Sequence, residues 1–172
     1  LEEYLSTAPC VPQIRNEVRN WKYNNYKGST KTTKDLLKFW FKSDHKLING
    51  KKFSYYYSQQ EAIETLIYLS EVCKIKNRKD LLQRFIKSDD DIQLPIHDSF
   101  ARSAVKMATG SGKTKVMALV LAWQYFNAVK ENDKLYSKDF LIIAPNVIVY
   151  DRLKTDFENG IIFKTDPIIP TH

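Results

Sequence analysis

The first half of the chain carries helical apolar patterns separated by short polar breaks. Helix starts are predicted where a capping residue precedes an acid by three positions, at Thr32, Ser58 and Asn77. After each start, apolar residues recur at the three- and four-residue spacing of a helix face. Residues 53–57 are rich in tyrosine and favour an extended segment between the first two helices. Most of this half is therefore predicted to be helical.

From residue 101 the pattern changes to strand, loop, helix, strand, helix. Residues 103–107 predict a short strand, and a long amphipathic helix is predicted from Lys113 to about Lys130. Residues 140–144, Phe-Leu-Ile-Ile-Ala, form a near-continuous apolar run, which is typical of a strand buried on both faces of a parallel sheet. A second helix follows Pro145 and Asn146. Two strand–helix units in series predict an α/β domain with a parallel sheet.

Charge is concentrated in one stretch of the 172-residue chain. The chain has a net charge of +7, and residues 15–52 carry eleven basic residues against three acids. Aromatic residues are interleaved with these basic residues. Basic side chains attract phosphates and exposed aromatic rings stack on bases, so the stretch is a candidate for nucleic-acid binding. The alternative is a solvated basic face over a packed aromatic core.

Composition excludes several classes of protein. No apolar run approaches the roughly 18 residues of a membrane-spanning helix. Cys10 and Cys73 are too few for a disulfide framework, and free thiols favour a reducing, cytoplasmic setting. The three histidines are scattered, and none has a metal-ligand spacing with a cysteine. A metal site formed by this chain alone is therefore not expected.

The strongest chemical signal is the segment Ala108-Thr109-Gly110-Ser111-Gly112-Lys113-Thr114. Glycines let the backbone approach phosphate oxygens closely, and successive amide groups at a helix N-terminus attract the anion. Lys113 would place a positive charge on the β- and γ-phosphates, and the Thr114 hydroxyl would ligate Mg²⁺ held by the nucleotide. The segment therefore predicts an ATP-binding phosphate loop formed by Thr109, Gly110, Ser111, Gly112, Lys113 and Thr114.

This phosphate loop resembles motif I of superfamily 2 helicases and translocases, in which the first glycine of the general pattern is often absent. Here Met107 stands at that position. The segment around Gln59-x-x-Ala62 is similar to the upstream element in which a glutamine reads adenine, and residues 141–146 followed by Arg152-Leu153 resemble motif Ia. Residues 53–163 together are most similar to the ATPase region of type III restriction enzyme Res subunits and their DEAD/DEAH-type relatives.

The resemblance implies a fold and a division of the chain. The fold is a partial RecA-like P-loop domain, with a parallel sheet flanked by helices, preceded by a mainly helical, basic N-terminal segment. Residues 1–57 would form that segment, and residues 58–172 the first part of the ATPase lobe. Motifs I and Ia are present, but no apolar run after the phosphate loop ends in Asp-Glu, as motif II requires. The chain is expected to stop partway through the lobe.

The resemblance also assigns roles to residues. Lys113 and Thr114 would be the catalytic residues, and Gln59 would hydrogen-bond adenine, with Gln60 as the alternative. Asn146 and Arg152 would lie near the DNA backbone. The competing interpretations are a helix N-cap for Asn146 and a surface charge for Arg152. Asp166 is the nearest candidate for the missing acid, and it lacks the neighbouring acid of motif II.

The leading hypothesis is an ATP-dependent DNA helicase or translocase, the restriction subunit of a type III restriction-modification-like system. Double-stranded DNA is the implied partner, and a methyltransferase or specificity subunit is left open. The parent protein would hydrolyse ATP, whereas this chain alone is expected to be inactive. The alternative is a non-catalytic nucleic-acid module with a vestigial loop. A small GTPase or kinase is disfavoured because no N-K-x-D motif and no arginine-rich lid are present.

Overall fold

The computed structural model describes residues 10–85 and 102–170. These residues form two compact units. The first unit contains residues 10–29, 64–85 and 102–106, and the second contains residues 30–63 and 107–170. The predicted division into residues 1–57 and 58–172 separates regions by function and not by compactness. The two compact units therefore do not test it, and it stays a prediction.

Helices make up most of the described chain. The α-helices are α1 (Val11–Tyr23), α2 (Lys31–Lys42), α3 (Tyr57–Ile67), α4 (Arg78–Phe85), α5 (Lys113–Lys130), α6 (Val147–Phe157) and α7 (Ile161–Thr165). A π-helical segment, Tyr68–Val72, continues α3, and a 3-10 turn, Glu158–Gly160, joins α6 to α7. Strands β1 (His45–Lys46) and β2 (Lys52–Phe53) pair as an antiparallel hairpin, with His45 opposite Phe53 and Lys46 opposite Lys52.

Aromatic side chains form the core of the first unit. Trp21, on the buried face of α1, packs against Tyr26 and Tyr68 with ring centroids 4.9 and 5.3 Å apart. The buried carboxylate of Glu64 accepts a 2.7 Å hydrogen bond from the Tyr26 hydroxyl and lies 3.3 Å from the Lys22 ammonium. Because a buried charge is costly without partners, these two contacts account for an acid in the core.

A second acid, Glu17, connects α1 to the end of α4. Its carboxylate accepts hydrogen bonds from the Tyr68 hydroxyl at 2.8 Å and from the Arg84 guanidinium at 3.3 Å. Partial burial acts to raise the pKa of Glu17, but these bonds and one from Gln13 outweigh it and lower the pKa. Glu17 is therefore held in its charged form by its neighbours.

In the second unit, α2 packs against α5 through a buried polar network. The Thr30 hydroxyl donates to the Asn127 carbonyl oxygen at 2.6 Å, and the Asn127 amide donates to the Thr33 hydroxyl at 3.0 Å. The Thr33 hydroxyl also accepts a 3.1 Å bond from the Trp123 indole. Asn127 is fully buried and its amide also donates to the Trp123 carbonyl of α5 at 2.8 Å, so the packing of α2 supplies the remaining partners of its polar atoms.

The end of the chain packs against the C-terminal half of α2. The buried Trp40 indole donates to the Ile168 carbonyl at 2.8 Å, and the Tyr55 hydroxyl donates to the Pro167 carbonyl at 3.0 Å. Ile162 and Ile168 are both buried. The segment that follows α7 is thereby fixed to α2 by directional bonds as well as by apolar contact.

The helix starts agree with prediction in one case and are shifted in two. Asn77 caps α4 as predicted, since its side chain accepts the Asp80 amide at 2.9 Å. The start predicted at Thr32 is wrong: Thr30 caps α2 by accepting the Thr33 amide, while the Thr32 amide donates to Glu131 at 2.8 Å. The start predicted with Ser58 as the capping residue is also shifted by two residues, because α3 begins at Tyr57 and the capping position is Tyr56.

The predicted parallel sheet is not present in the described residues, where the paired strands are those of the antiparallel hairpin. Residues 103–107 and 140–144 lie outside helices but are not paired in a ladder. Leu141 and Ile143 are 85% and 80% exposed. An apolar run shows that a segment suits burial on both faces, but a ladder also needs partner strands, and no described strand pairs with this segment.

The aromatic residues interleaved in the basic stretch are mostly structural. Trp21, Tyr26 and Trp40 are buried, and Phe39 and Phe41 are half-buried. Most lysines of the same stretch are exposed. The prediction that these aromatics stack on bases is therefore wrong for the buried rings, which form core contacts instead.

The described residues also bear on membrane and metal binding. Within residues 10–85 and 102–170, no helix is long and apolar enough to cross a bilayer. The same residues contain no group of three or more histidine, cysteine or acidic side chains arranged to hold a metal ion. Cys10 and Cys73 are free thiols, and burial raises the pKa of each.

The α2–α5 network predicts a large effect of one substitution. Asn127→Ala should lower the free energy of unfolding by about 2 kcal/mol or more, because it removes several buried hydrogen bonds, among them those with the Thr30 and Thr33 hydroxyls. Urea unfolding followed by circular dichroism measures the change. Asn16→Ala, at an exposed position of α1, is the control and should change stability by less than about 0.5 kcal/mol. Equal effects of the two substitutions would contradict this account.

Candidate functional site

The phosphate loop has the backbone conformation that its glycines allow. Gly110 and Gly112 each have φ of +80°, in the left-handed region that other residues rarely adopt. Gly112 is the N-cap of α5, so the loop leads directly into the N-terminus of that helix. A helix N-terminus carries free amide groups and a partial positive charge, and this end of α5 is suited to an anion.

Polar contacts within the loop fix its first residues. The Ser111 hydroxyl donates to the Ala108 carbonyl at 2.6 Å. The Lys113 ammonium donates to the carbonyls of Met107 and Ala108 at 3.0 and 2.8 Å. Lys113 is exposed, so its charge is both positioned by the loop and accessible to a ligand.

Helix α5 supplies a rigid base for the loop. Its 18 residues begin at Lys113, and buried apolar side chains anchor it from the first turn onward: Val116, Ala118, Leu119, Ala122 and Trp123. Thr114 is half-exposed on that first turn. The charge of Lys113 and the hydroxyl of Thr114 are therefore adjacent on a helix end held in place by its core contacts.

Gln59 connects the start of α3 to the phosphate loop. It is only 2% exposed, its side-chain oxygen accepts the Tyr56 amide at 2.9 Å, and its amide group donates to the Ser111 carbonyl at 3.0 Å. The first of these bonds is the reciprocal half of a capping box, in which the third residue of the helix satisfies the capping residue's amide. In this structure Gln59 positions the loop, and its predicted contact with adenine stays a prediction. The alternative residue, Gln60, is half-buried.

Gly112 makes room for that contact. A Cβ atom at position 112 would overlap the Gln59 amide nitrogen, whereas a Cβ at Gly110 would meet nothing within 4 Å. A side chain at position 112 would therefore have to displace the Gln59 amide, so close packing as well as backbone conformation favours glycine there. The sequence indicated the conformational reason, but it gave no sign of the packing reason.

An ion pair follows the loop one residue beyond Thr114. The Lys115 ammonium is paired with the Asp166 carboxylate and lies 5.1 Å from the centre of the Phe53 ring. Burial raises the pKa of the Tyr55 phenol, and the negative charge of Asp166 raises it further. Lys115 and Phe53 were not predicted as part of the site, since a lysine on a helix surface carries no distinctive spacing in the sequence.

Asn146 and Arg152 lie apart from these contacts on α6. The Asn146 side chain accepts the Val149 amide at 3.0 Å, so it caps the helix. Arg152 is exposed, and α6 contains no buried residue among those described. Helix α6 contacts the 3-10 turn and α7. The capping role of Asn146 is confirmed, and a DNA contact by either residue stays a prediction.

The comparison with protein families gives one match. Residues 52–169 match the family described as type III restriction enzyme, res subunit. The chain belongs to this family. The match contains Gln59, the whole phosphate loop, both candidate DNA-contact residues and Asp166, whereas α1, α2 and β1 precede it. Membership implies a helicase-like ATPase region of a restriction subunit. Searches of curated proteins and of solved structures found no significant match.

The close packing of Gln59 on Gly112 predicts that the stability effects of substitutions at these two positions depend on each other. A double-mutant cycle measures this dependence. Gly110→Ala and Gly112→Ala should each cost about 1–2 kcal/mol of stability through the left-handed backbone. Gly112→Ala should cost more, because its Cβ overlaps the Gln59 amide. Thermal unfolding of the single and double variants gives the free energies.

The additional cost of Gly112→Ala should be smaller when Gln59 is also alanine, because the overlapping side chain is then absent. Gly110→Ala should show no such dependence on residue 59. If the costs of the two changes at 112 and 59 are simply additive, the close contact does not shape the loop.

Proposed function

We propose that this chain is the ATP-binding part of an ATP-dependent DNA helicase or translocase, the restriction subunit of a type III restriction-modification-like system. Family membership supports a helicase-like ATPase region. The observation that carries the proposal is the loop itself, in which two glycines with positive φ precede a lysine at the start of a long, anchored helix. That combination suits the triphosphate of a nucleotide.

Residues of the loop would divide the work of holding ATP. Backbone amides of residues 109–112 and the N-terminus of α5 would bind phosphate oxygens. The Lys113 ammonium would leave its carbonyl partners to contact the β- and γ-phosphates, since a charged acceptor forms the stronger bond. Bound Mg²⁺ would neutralise phosphate charge, and the Thr114 hydroxyl would be its ligand from this chain.

Gln59 is the candidate for reading the base. To contact adenine, its amide group would have to exchange the Ser111 carbonyl for the ring of the nucleotide. A side-chain amide offers both a donor and an acceptor, which matches the edge of adenine. Occupation of the base site and the conformation of the loop would then be coupled through this one residue.

Asn146 and Arg152 are the candidate contacts to double-stranded DNA. Both are exposed on the same helix, near its N-terminus and its middle. The free amide groups at the start of α6 and the Arg152 guanidinium are donors for phosphate oxygens. The Asn146 amide nitrogen stays available for DNA, because the helix cap uses its carbonyl oxygen.

The parent protein is proposed to be a cytoplasmic ATP hydrolase, with residues 58–172 as the first part of its ATPase lobe. Hydrolysis requires an acid that holds Mg²⁺ and a group that orients water. Asp166 is paired with Lys115, so it serves this chain as the partner of a lysine. We therefore expect nucleotide binding by this chain without turnover, and a methyltransferase or specificity subunit remains a candidate partner of the parent.

Titration with a fluorescent ATP analogue in Mg²⁺ tests the nucleotide site. The wild-type chain should bind the analogue, and Lys113→Ala should weaken binding at least tenfold, because it removes the charge that contacts the phosphates. Lys134→Ala, which removes an exposed lysine in the segment after α5, is the matched control and should bind like wild type.

Other outcomes have distinct meanings. Equal binding by wild type and Lys113→Ala would contradict the assigned role of the loop. DNA binding without any nucleotide binding would favour the non-catalytic module with a vestigial loop. If the parent protein hydrolysed ATP at the same rate with and without DNA, the translocase proposal would be wrong.

A further inference from the structure

Seven lysines and two aspartates occur between residues 30 and 52, which gives this short stretch +5 of the chain's net charge of +7. Six of the seven lysines define what we call the lysine surface: Lys31, Lys34, Lys38, Lys42, Lys46 and Lys52. All but Lys34 are exposed. Apart from Lys52, these residues precede the family match, so the match assigns them no role.

The lysines of α2 lie on one face of the helix. Lys31, Lys34, Lys38 and Lys42 are separated by three, four and four residues, which places them on successive turns of the same side. The stripe is about 16 Å long at the helical rise. The opposite side of α2 carries Leu36, Leu37 and Trp40, which are buried. The core contacts of α2 therefore hold the stripe towards solvent.

The hairpin that follows α2 carries the other two lysines of this set. The His45 ring donates a 2.6 Å hydrogen bond from Nε2 to the Phe39 carbonyl and packs on the Phe39 ring at 4.7 Å, so β1 is fixed to the last turns of the helix. Lys46 and Lys52 are opposite each other in the hairpin register, so their side chains lie on the same face.

This arrangement repeats like charges at positions where they repel. Lysines four residues apart on a helix destabilise it, and like charges directly opposite in a hairpin do the same. Three acids offset part of this charge. Asp35 lies on the lysine face of α2. Hydrogen bonds from Thr32 and the charge of Lys31 lower the pKa of Glu131. Asp44 reaches Lys52 only in an exposed pair at 3.8 Å. Six lysines against these three acids leave a net positive surface, and a polyanionic ligand would relieve the repulsion that remains.

We infer that the lysine surface binds the sugar–phosphate backbone of duplex DNA, in addition to the candidate contacts on α6. This inference rests on the proposed function for its choice of DNA. Phosphate contacts by lysine are independent of sequence, and the burial of Trp40 and the partial burial of Phe39 and Phe41 leave α2 without a stacking face for unpaired bases.

A lipid surface is the competing partner for a basic helix. Helices that bind membranes insert an apolar face beside their basic one, and the apolar face of α2 is already buried in the protein. Ile48, at the hairpin turn, is 82% exposed but is a single side chain. The observations therefore favour DNA over an anionic membrane.

The test is a salt titration of duplex binding by the 172-residue chain. The variant Lys38→Gln/Lys46→Gln/Lys52→Gln should bind a 20-base-pair duplex at least tenfold more weakly at about 0.1 M salt. The slope of log affinity against log salt should fall by about 2 to 3, since each lost phosphate contact removes about 0.9. The variant should unfold at the same or a higher temperature, because like-charge repulsion is removed.

The matched control is Lys134→Gln/Lys138→Gln/Lys164→Gln, which removes the same charge from exposed positions elsewhere in the second unit. It should change affinity less than twofold. Equal loss in both triple variants would overturn the inference in favour of a net-charge effect. A preference for single-stranded DNA that survives in the first variant would also overturn it, in favour of stacking on exposed aromatics such as Tyr56 and Tyr57.

Two further arms separate the remaining outcomes. If the first variant keeps its duplex affinity but loses binding to phosphatidylserine vesicles, the surface is a membrane contact and the inference is wrong. Binding of the fluorescent ATP analogue should be the same in both triple variants. Failure of the chain to bind the analogue, together with a specific loss of duplex binding, would count against the proposed ATP site while supporting the lysine surface.

Discussion

Asn127 is fully buried, and while one amide hydrogen bond goes to the Trp123 carbonyl of α5 itself, its carbonyl oxygen and its second bond find their partners on the α2 side, at Thr30 and Thr33. A buried amide without partners is costly, so this contact selects one arrangement of the two helices. Both candidate functional features of the second unit depend on it. Helix α5 carries the phosphate loop at its N-terminus, and α2 carries the lysine surface on the side away from the network.

The loop is supported from a second direction by Gln59. Its bonds to Tyr56 and Ser111 join the start of α3 to the loop, and Gly112 leaves the space that the amide group needs. The pair formed by Lys115 and Asp166 then connects the first turn of α5 to the segment after α7. A ligand that binds Lys113 or Gln59 would break that residue's present hydrogen bonds. The other contacts would still hold the loop in place.

The sequence predicted the long helix α5, the loop before it and the cap at Asn146, because each depends on local spacing or on one residue's conformational preference. It did not predict that Gln59 binds Ser111 or that Lys115 meets Asp166, since these contacts join residues about fifty positions apart. The parallel sheet was predicted from apolar runs alone. Residues 140–144 show the limit of that evidence, because hydrophobicity specifies a suitable strand but not its partner.

Hydrogen–deuterium exchange of the chain, with and without an ATP analogue in Mg²⁺, tests the central claim that residues 108–114 form a phosphate-binding loop on an anchored helix. We predict that nucleotide slows exchange at the amides of residues 109–114, which would donate to phosphate oxygens. Exchange in the middle of α5 should stay slow in both states, because its core contacts do not depend on the ligand. Unchanged exchange in the loop at saturating nucleotide, or protection centred on another segment, would contradict the claim.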